Sequence, residues 1–276
     1  MTLLDCAGRA LDLSRVSIMG VLNVTPDSFS DGGIFLTRDN AVTRARQMAE
    51  EGADIIDVGG ESTRPSAHPV SVQEELDRVL PVIEVLRDGL TVPISIDSSK
   101  PDVMRAAVAA GAGFINDVRA LREDGALAAA AELQVPVCLM HMQGEPRSMQ
   151  TDPQYTDVVA DVRVFLAERM AACLAVGIDP ARLVIDPGFG FGKSLAHNVQ
   201  LLRALSVFRT LGAPILVGLS RKSMIGAALG LPVEQRLSAS LALAVTAVAN
   251  GARIVRTHDV RATRDAIRMY EAVYTG

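Results

Sequence analysis

The chain has 276 residues, of which 49% are hydrophobic, and a formal net charge of −5 at pH 7; this suits one large globular domain and gives no electrostatic reason to expect a nucleic-acid partner. The three cysteines are widely spaced and form no C-x-x-C motif, so neither a disulfide framework nor a cysteine zinc site is expected. No apolar run approaches the length of a membrane span and residues 1–15 lack a secretory pattern, so we expect a cytoplasmic protein.

Short apolar runs alternate along the chain with longer amphipathic segments. Ahead of them, residues 3–13 (LLDCAGRALDL) predict a small hairpin. Each apolar run lacks regular polar alternation, which is typical of a strand buried on both faces. The predicted strands lie within residues 16–24, 54–60, 92–99, 113–118, 135–141, 182–188, 213–220 and 252–258.

The amphipathic segments predict helices, most clearly at residues 38–53, 71–88, 100–112 and 155–177. The second opens with Ser71 and Glu74 at the spacing of a capping box, and the third has a proline in its first turn and closes near a glycine. Eight strand–helix units predict an α/β fold, a (β/α)8 TIM barrel that forms a single domain over residues 1–276. The hairpin is expected to close the bottom of the barrel. A doubly wound open sheet is the alternative.

The stretch DPGFGFGKS, residues 186–194, looks like a phosphate-binding loop but fits neither known glycine pattern. The mononucleotide loop requires a glycine where Pro187 stands, and the dinucleotide pattern requires one where Lys193 stands. A nucleotide site is therefore not predicted here. Lys193 receives no functional role, and we expect it to be solvated or to anchor the loop.

Nearly every predicted strand ends in polar or charged residues. The carboxyl ends of the strands form the active site of a (β/α)8 barrel, whereas core packing gives no reason to place polar groups there. Each residue alone has an ordinary explanation, such as a helix cap, a structural histidine or surface charge. Their recurrence at strand after strand favours a functional site. In chain order they are Asn23, Glu61, Arg64, Asp97, Asn116, Asp117, His141, Asp186, Ser220 to Ser223, and Arg256 to Asp259.

These residues form two chemical groups. The first combines hydrogen-bond acceptors, donors and one cation, which suits a planar heterocycle with amino, ring N–H and carbonyl groups. It consists of Asp97, Asn116, Asp186 and Lys222. The second is cationic or potentially cationic, which suits an anion. It consists of Arg64, Arg221, Arg256 and His258. Asn23 offers an oxygen to Mg²⁺, which takes few protein ligands when it binds together with phosphates.

Eight stretches of the sequence carry a resemblance to a known family. They are MGVLNVTPDSFSDGG (19–33), ADIIDVGGESTRPSA (53–67), ISIDSS (94–99), INDV (115–118), HMQGEPRSMQ (141–150), DPGFGFGK (186–193), GLSRKS (218–223) and VRTHDV (255–260). Together they resemble the motifs of the dihydropteroate synthase family of pterin-binding enzymes. The resemblance implies a transferase that joins 7,8-dihydropterin-6-ylmethyl diphosphate to 4-aminobenzoate, releasing diphosphate and giving 7,8-dihydropteroate. This is the step of folate synthesis that sulfonamides inhibit.

The resemblance also implies roles for the matching residues. The pterin would be held by Asp97, Asn116, Asp186 and Lys222, with Met140 lining its pocket. The diphosphate would be bound by Thr63, Arg256 and His258, with Asn23 as a ligand of Mg²⁺. The aminobenzoate pocket would be formed by Phe191, Lys222 and Ser223. Loops that carry Phe29, Asp31, Arg64 and Pro65 would close over the site. The catalytic groups would be Asp97, Lys222, Arg256 and His258.

Two other functions compete with this interpretation. A methyltransferase domain that acts on methyltetrahydrofolate would share the barrel and the pterin contacts, but it has no diphosphate to release. A non-catalytic pterin-binding homologue would have no reason to retain polar groups at every strand end. The partners implied are small-molecule substrates and a second copy of the chain in a homodimer, for which residues 238–252 offer a face of small residues.

Overall fold

The computed structural model describes residues 3–25, 34–62, 69–144, 149 and 153–274, and side chains at 34–37 lie outside that description. An antiparallel hairpin, β1 (Leu3–Cys6) and β2 (Arg9–Asp12), precedes eight parallel strands. These are β3 (Ser17–Asn23), β4 (Ile55–Gly59), β5 (Ile94–Asp97), β6 (Phe114–Asp117), β7 (Val137–Met140), β8 (Leu183–Asp186), β9 (Leu216–Gly218) and β10 (Ile254–Thr257).

The eight parallel strands form one barrel. Their order is β8-β7-β6-β5-β4-β3-β10-β9, and a parallel bridge between Ile185 and Ile215 joins β8 to the residue before β9. The Ile185 N–H also donates to the Pro214 carbonyl at 3.0 Å. All eight predicted strands are therefore confirmed, and the open doubly wound sheet is wrong.

Helices follow the barrel strands and cover the outside of the barrel. They are α1 (Ile34–Glu50), α2 (Val72–Gly89), α3 (Pro101–Ala110), α4 (Ala126–Leu133), α5 (Val158–Ala175), α6 (Leu195–Arg203), α7 (Ser223–Leu229), α8 (Leu237–Ala249) and α9 (Val260–Tyr274). The predicted capping box at Ser71 and Glu74 is present. Helix α5 begins later than predicted because the Asp157 side chain caps it, accepting hydrogen bonds from the Val159 and Ala160 N–H groups. Within the described residues, no helix is long and apolar enough to cross a bilayer.

The hairpin closes the amino-terminal end of the barrel, as predicted. Its buried side chains pack against the first inward-facing residues of the barrel strands in one apolar cluster, which includes Leu4, Leu11, Met19, Ile55, Phe114, Val184 and Ile254. The contact is close enough to require a glycine before β6. A Cβ on Gly113 would lie 2.2 Å from the Cys6 carbonyl oxygen. The hairpin therefore seals the end of the barrel opposite to the polar strand ends.

Candidate active site

A cavity of about 490 Å³ opens at the carboxyl ends of the barrel strands. Ten of the residues singled out in the sequence line it, namely Asn23, Glu61, Asp97, Phe191, Ser220, Arg221, Lys222, Ser223, Arg256 and His258. Asn116, Met140 and Asp186 are not among its lining residues. The prediction that the polar strand ends converge is therefore confirmed for the ten residues that line the cavity. The cavity volume is within the usual range for a pocket that holds a small organic ligand.

The alternation of strand residues explains why these side chains point inward. In β6, Phe114 packs in the cluster at the barrel bottom and Ile115 packs beneath the helices, so Asn116 faces the interior again. Asp97 lies beside Asn116 in the register of β5 and β6. Asp117 faces the other way. It accepts hydrogen bonds from the Ser99 hydroxyl and from the Arg119 and Leu121 N–H groups, so it stabilises the loop after β6 instead of lining the cavity.

Arg256 lies between two carboxylates inside the barrel. Its Nε donates to Asp57 Oδ2 at 2.6 Å, and its Nη2 donates to Asp97 Oδ2 at 2.7 Å. Burial raises the pKa of Asp97 to about 7; Arg256 opposes this shift, whereas Asp57 adds to it. Arg256 is therefore fixed inside the barrel by two carboxylates, unlike an arginine on the protein surface that is free to move toward an anion.

Lys222, which lines the cavity, and Asp186, at the end of β8, form a second pair of interacting charged groups. The Gly188 N–H donates to Asp186 Oδ1 at 2.7 Å, yet burial raises the pKa of Asp186 to about 6. Burial, with the Arg256 charge adding to it, lowers the pKa of Lys222 to about 8. The Lys222 ammonium lies 4.1 Å from the centre of the Phe191 ring, a cation–π contact that makes one wall of the cavity both aromatic and cationic.

His258 and Arg221 both make hydrogen bonds to neighbouring side chains. The Ser220 hydroxyl lies 3.0 Å from His258 Nδ1 and also accepts from the His258 N–H at 3.3 Å. Burial, reinforced by Arg256, lowers the pKa of His258 to about 3, so the imidazole is neutral and offers a hydrogen bond instead of a charge. Arg221 donates from Nε and Nη2 to the two oxygens of Asp259 at 3.0 and 2.5 Å.

The glycine loop after β8 is held by Lys193. This lysine is buried, and its Nζ lies 2.8 Å from the Gly188 carbonyl, 2.9 Å from the Phe191 carbonyl and 2.9 Å from His141 Nδ1. Burial lowers the pKa of Lys193 to about 7 and the pKa of His141 to about 2. The expectation of a solvated lysine is wrong, and its loop-anchoring alternative is confirmed.

The sequence comparisons agree with this geometry. Residues 19–258 match the family described as "Pterin binding enzyme". The chain belongs to this family. It is 55% identical to the dihydropteroate synthase of Haemophilus influenzae, over 96% of both chains.

Two solved structures of relatives share the fold. The Xanthomonas albilineans dihydropteroate synthase with 4-aminobenzoic acid superposes with a TM-score of 0.95 at 56% identity, covering 99% of this chain and 98% of the other. The enzyme from the same organism in complex with 7,8-dihydropteroate superposes with a TM-score of 0.92 at 53% identity, covering 99% of each chain. The pterin-binding resemblance read from the motifs is therefore confirmed.

Some of the predicted site residues lie away from the cavity lining or outside the described part of the chain. Met140 is buried in a cluster with Met142 and Met149, and Phe191 packs against that cluster. The residues Phe29, Asp31, Thr63, Arg64 and Pro65 lie outside the described part of the chain. Their predicted roles in the diphosphate site and in the loops stay predictions.

Asp57 is the residue of this pterin-binding barrel that sequence reasoning missed. It stands in the middle of β4, is fully buried, and accepts hydrogen bonds at Oδ2 from Arg256 Nε and Asn116 Nδ2. The signal was one charged residue inside the apolar run ADIIDVGG. Asp57 lies two residues after Ile55, which packs in the apolar cluster at the bottom of the barrel. Because alternate residues of a strand face the same side, Asp57 is expected on the inner face of the barrel.

A charged cluster, of which only Glu61 was predicted from the sequence, lies at the end of β4. Lys100 Nζ is 2.5 Å from Glu61 Oε2 and 2.5 Å from Glu75 Oε2, and Glu75 is fully buried. Glu61 lines the cavity. The cluster joins the loop after β4 to the starts of α2 and α3, so it fixes the chain where the strand leaves the barrel.

Proposed function

We propose that this chain is a dihydropteroate synthase that condenses 7,8-dihydropterin-6-ylmethyl diphosphate with 4-aminobenzoate to give 7,8-dihydropteroate and diphosphate. The observation that carries the proposal is one cavity lined by Asp97, Arg256, Lys222 and Phe191. Arg256 is ion-paired with Asp97 at the cavity and with buried Asp57 beneath it. The named relatives are dihydropteroate synthases, which favours this reaction over methyl transfer from methyltetrahydrofolate.

The buried polar groups suit the two edges of a pterin ring. The carboxylates of Asp97 and Asp186 and the side-chain carbonyl of Asn116 accept hydrogen bonds from amino and ring N–H groups, and Lys222 donates to the ring carbonyl. Planar heterocycles need such fixed partners because hydrogen bonds set orientation while apolar contacts do not. Met149 lines the cavity and belongs to one apolar cluster with Met140 and Met142, against which Phe191 packs.

Breaking the carbon–oxygen bond leaves positive charge on the pterin methylene and negative charge on diphosphate. Arg256 Nη1 makes no hydrogen bond with a described residue, so it remains as a donor toward the leaving group. If Ser220 donates to Nδ1, the Nε2–H of neutral His258 is a second donor. These donors, with Thr63, stabilise the developing anion, and an ionised Asp97 favours the cation on the ring.

The second substrate attacks as a neutral aryl amine, so no base has to remove a proton first. The aminobenzoate ring lies against the wall formed by Phe191 and Lys222, and Ser223, which also lines the cavity, binds its carboxylate. Sulfonamides that resemble aminobenzoate are expected to compete at this wall.

Mg²⁺ fits this site as a partner of the substrate. Asn23 lines the cavity and supplies one amide oxygen, and the described residues contain no cluster of three His, Cys, Asp or Glu side chains that would hold a metal without the substrate. Mg²⁺ typically binds through one or two protein oxygens and the phosphates themselves. When bound, it supplies positive charge to the diphosphate oxygens.

Cytoplasmic localisation and homodimerisation complete the proposal. The three cysteines are buried and free, which suits a reducing compartment. The predicted dimer face, residues 238–252, begins on α8 directly after Leu237, which is 42% exposed. A symmetric dimer could use this face, and sedimentation of the wild type and of Leu237→Glu would test it, because a charge on a twofold contact should favour the monomer.

The proposed reaction is tested by incubating the purified protein with the dihydropterin diphosphate, 4-aminobenzoate and Mg²⁺. We expect diphosphate and 7,8-dihydropteroate to appear in equal amounts, with no dihydropteroate when aminobenzoate is omitted. Methyltetrahydrofolate with a corrinoid acceptor is the control for the competing reaction. Methyl transfer without diphosphate release would contradict the proposal.

A further inference from the structure

Among the described residues, Asp57 is the one buried carboxylate of the barrel interior that has no place in the reaction described above. Its Oδ2 accepts from Arg256 Nε at 2.6 Å and from Asn116 Nδ2 at 3.0 Å, and its Oδ1 accepts from no described residue. A buried, half-satisfied carboxylate costs stability compared with an apolar residue of similar size. Asp57 is therefore a poor choice for stability alone.

The contact with Asn116 decides which way the amide points. An ionised carboxylate only accepts hydrogen bonds, so the NH2 end of the amide must face Asp57. The carbonyl Oδ1 of Asn116 is then turned away from Asp57. Without this contact the amide is able to rotate by half a turn and exchange a hydrogen-bond acceptor for a donor at the same place.

The contact with Arg256 fixes the guanidinium in the same way. Nε is held by Asp57 on β4 and Nη2 by Asp97 on β5, so two neighbouring strands define the plane of the group. Holding only one of these nitrogens would leave the planar group able to turn about the remaining bond. The Nη1 edge that is left for a ligand is thus aimed by both carboxylates.

We propose that Asp57 is the positioning residue of the pterin pocket, which sets Asn116 to present its carbonyl and Arg256 to present its Nη1 edge before the substrate binds. This inference rests on the proposed function, because it assumes that a pterin diphosphate occupies the cavity. Asp57 acts through these two side chains and touches no reacting atom. Recognition of the pterin ring thereby depends on Asp57, which lies beneath the side chains that contact the ring.

Two substitutions separate the hydrogen bonds of Asp57 from its charge. Asp57→Ala removes the acceptor, so Asn116 and Arg256 are no longer oriented. Asp57→Asn keeps an oxygen acceptor and the shape but not the charge. Ser95→Ala is the matched control, because Ser95 is paired with Asp57 in the register of β4 and β5, is fully buried, and makes no hydrogen bond with a described residue.

We expect Asp57→Ala to raise KM for the dihydropterin diphosphate by about tenfold or more, since one or two buried hydrogen bonds to charged groups are lost. KM for 4-aminobenzoate should change less than about twofold, and Asp57→Asn should recover most of the loss. Because the Asp57 charge raises the pKa of Asp97, Asp57→Asn should also move the acid limb of kcat/KM to lower pH. Ser95→Ala should match the wild type.

The outcomes distinguish this inference from the proposed function. A wild-type protein without synthase activity contradicts the proposed function. An active wild type whose Asp57→Ala variant keeps the wild-type KM overturns the positioning role. If Asp57→Ala does not fold, Asp57→Ser takes its place, because its shorter side chain also withdraws the acceptor from Asn116 and Arg256; a wild-type KM for the dihydropterin diphosphate in that variant again overturns the role.

Discussion

Asp97 combines an unusual pKa with a fixed position. It is buried at the cavity, it accepts a hydrogen bond from Arg256, and its pKa is raised to about 7, mainly by burial. Near neutral pH a large share of the molecules carries the ionised form, which is the form that favours positive charge on a pterin ring. Its role is therefore expected to appear in the transition state more than in the bound substrate.

Asp97→Asn tests this expectation. We expect kcat to fall by about 100-fold or more, because the charge that stabilises the developing cation is lost. The dissociation constant for the dihydropterin diphosphate should rise by about tenfold at most, since the amide keeps one oxygen acceptor. Steady-state kinetics and calorimetric titration measure the two quantities on one preparation. A weakened affinity with an intact kcat would remove Asp97 from the transition state.

Residues at the ends of strands were predictable, and residues inside them were not. Asp97, Asn116 and Asp186 each terminate an apolar run, so the change of character marked them in the sequence. Asp57 instead interrupts the apolar stretch of β4. Only the alternation of inward- and outward-facing residues along that strand reveals that it faces the interior. The partners of Arg221 and Lys193 depend on which loops lie side by side, which a single strand does not encode.

At the scale of elements, the loop between β8 and α6 shows why its glycines alternate. Gly188, Gly190 and Gly192 all have positive φ, at 71°, 80° and 62°. A Cβ on Gly188 would lie 1.9 Å from the His141 carbonyl oxygen, and one on Gly192 would lie 2.5 Å from the Gln143 carbonyl oxygen. The glycines thus let this loop pack against the backbone after β7, and phosphate binding is not needed to explain them.

Gly188→Ala is expected to destabilise the protein far more than Gly230→Ala. The two glycines have nearly the same φ, 71° and 70°, but a Cβ on Gly230 meets no atom within 4 Å. Gly230→Ala should therefore lower the free energy of unfolding by about 1 kcal/mol through backbone strain alone. Gly188→Ala should lose at least about 2 kcal/mol more, because backbone atoms must move. Urea unfolding measures both, and equal losses would contradict the steric argument.

At the scale of the whole molecule, the barrel divides its two ends between different tasks. Polar side chains gather at the carboxyl ends of the strands, and the hairpin packs against apolar side chains at the other end. Substitutions in the hairpin should therefore alter stability without altering the chemistry. This division follows from strand direction, since parallel strands bring all like ends to one side.

Leu11→Ala and Leu3→Ala test the division with two leucines of the same hairpin. Leu11 is 1% exposed in the bottom cluster, whereas Leu3 is 55% exposed. Leu11→Ala should lower the free energy of unfolding by about 2–5 kcal/mol through lost packing and a cavity, and Leu3→Ala by less than about 0.5 kcal/mol. At a temperature where both variants are folded, kcat should stay within about twofold of the wild type. A large fall in the kcat of folded Leu11→Ala would show that the two ends are coupled.

The pairing of β3 with β10 has a consequence for the chain as it is synthesised. The Ser17 N–H donates to the Arg253 carbonyl at 2.9 Å, and the Arg264 guanidinium reaches the carbonyls of Val16 and Gly52. The first barrel strand to leave the ribosome therefore gains its second neighbour only after the last one has emerged. Until then the growing sheet presents a free edge to other nascent chains, and long-range pairing of this kind is slow. The pairing of the last strand, more than the formation of any earlier one, covers that edge and so protects the chain from aggregation.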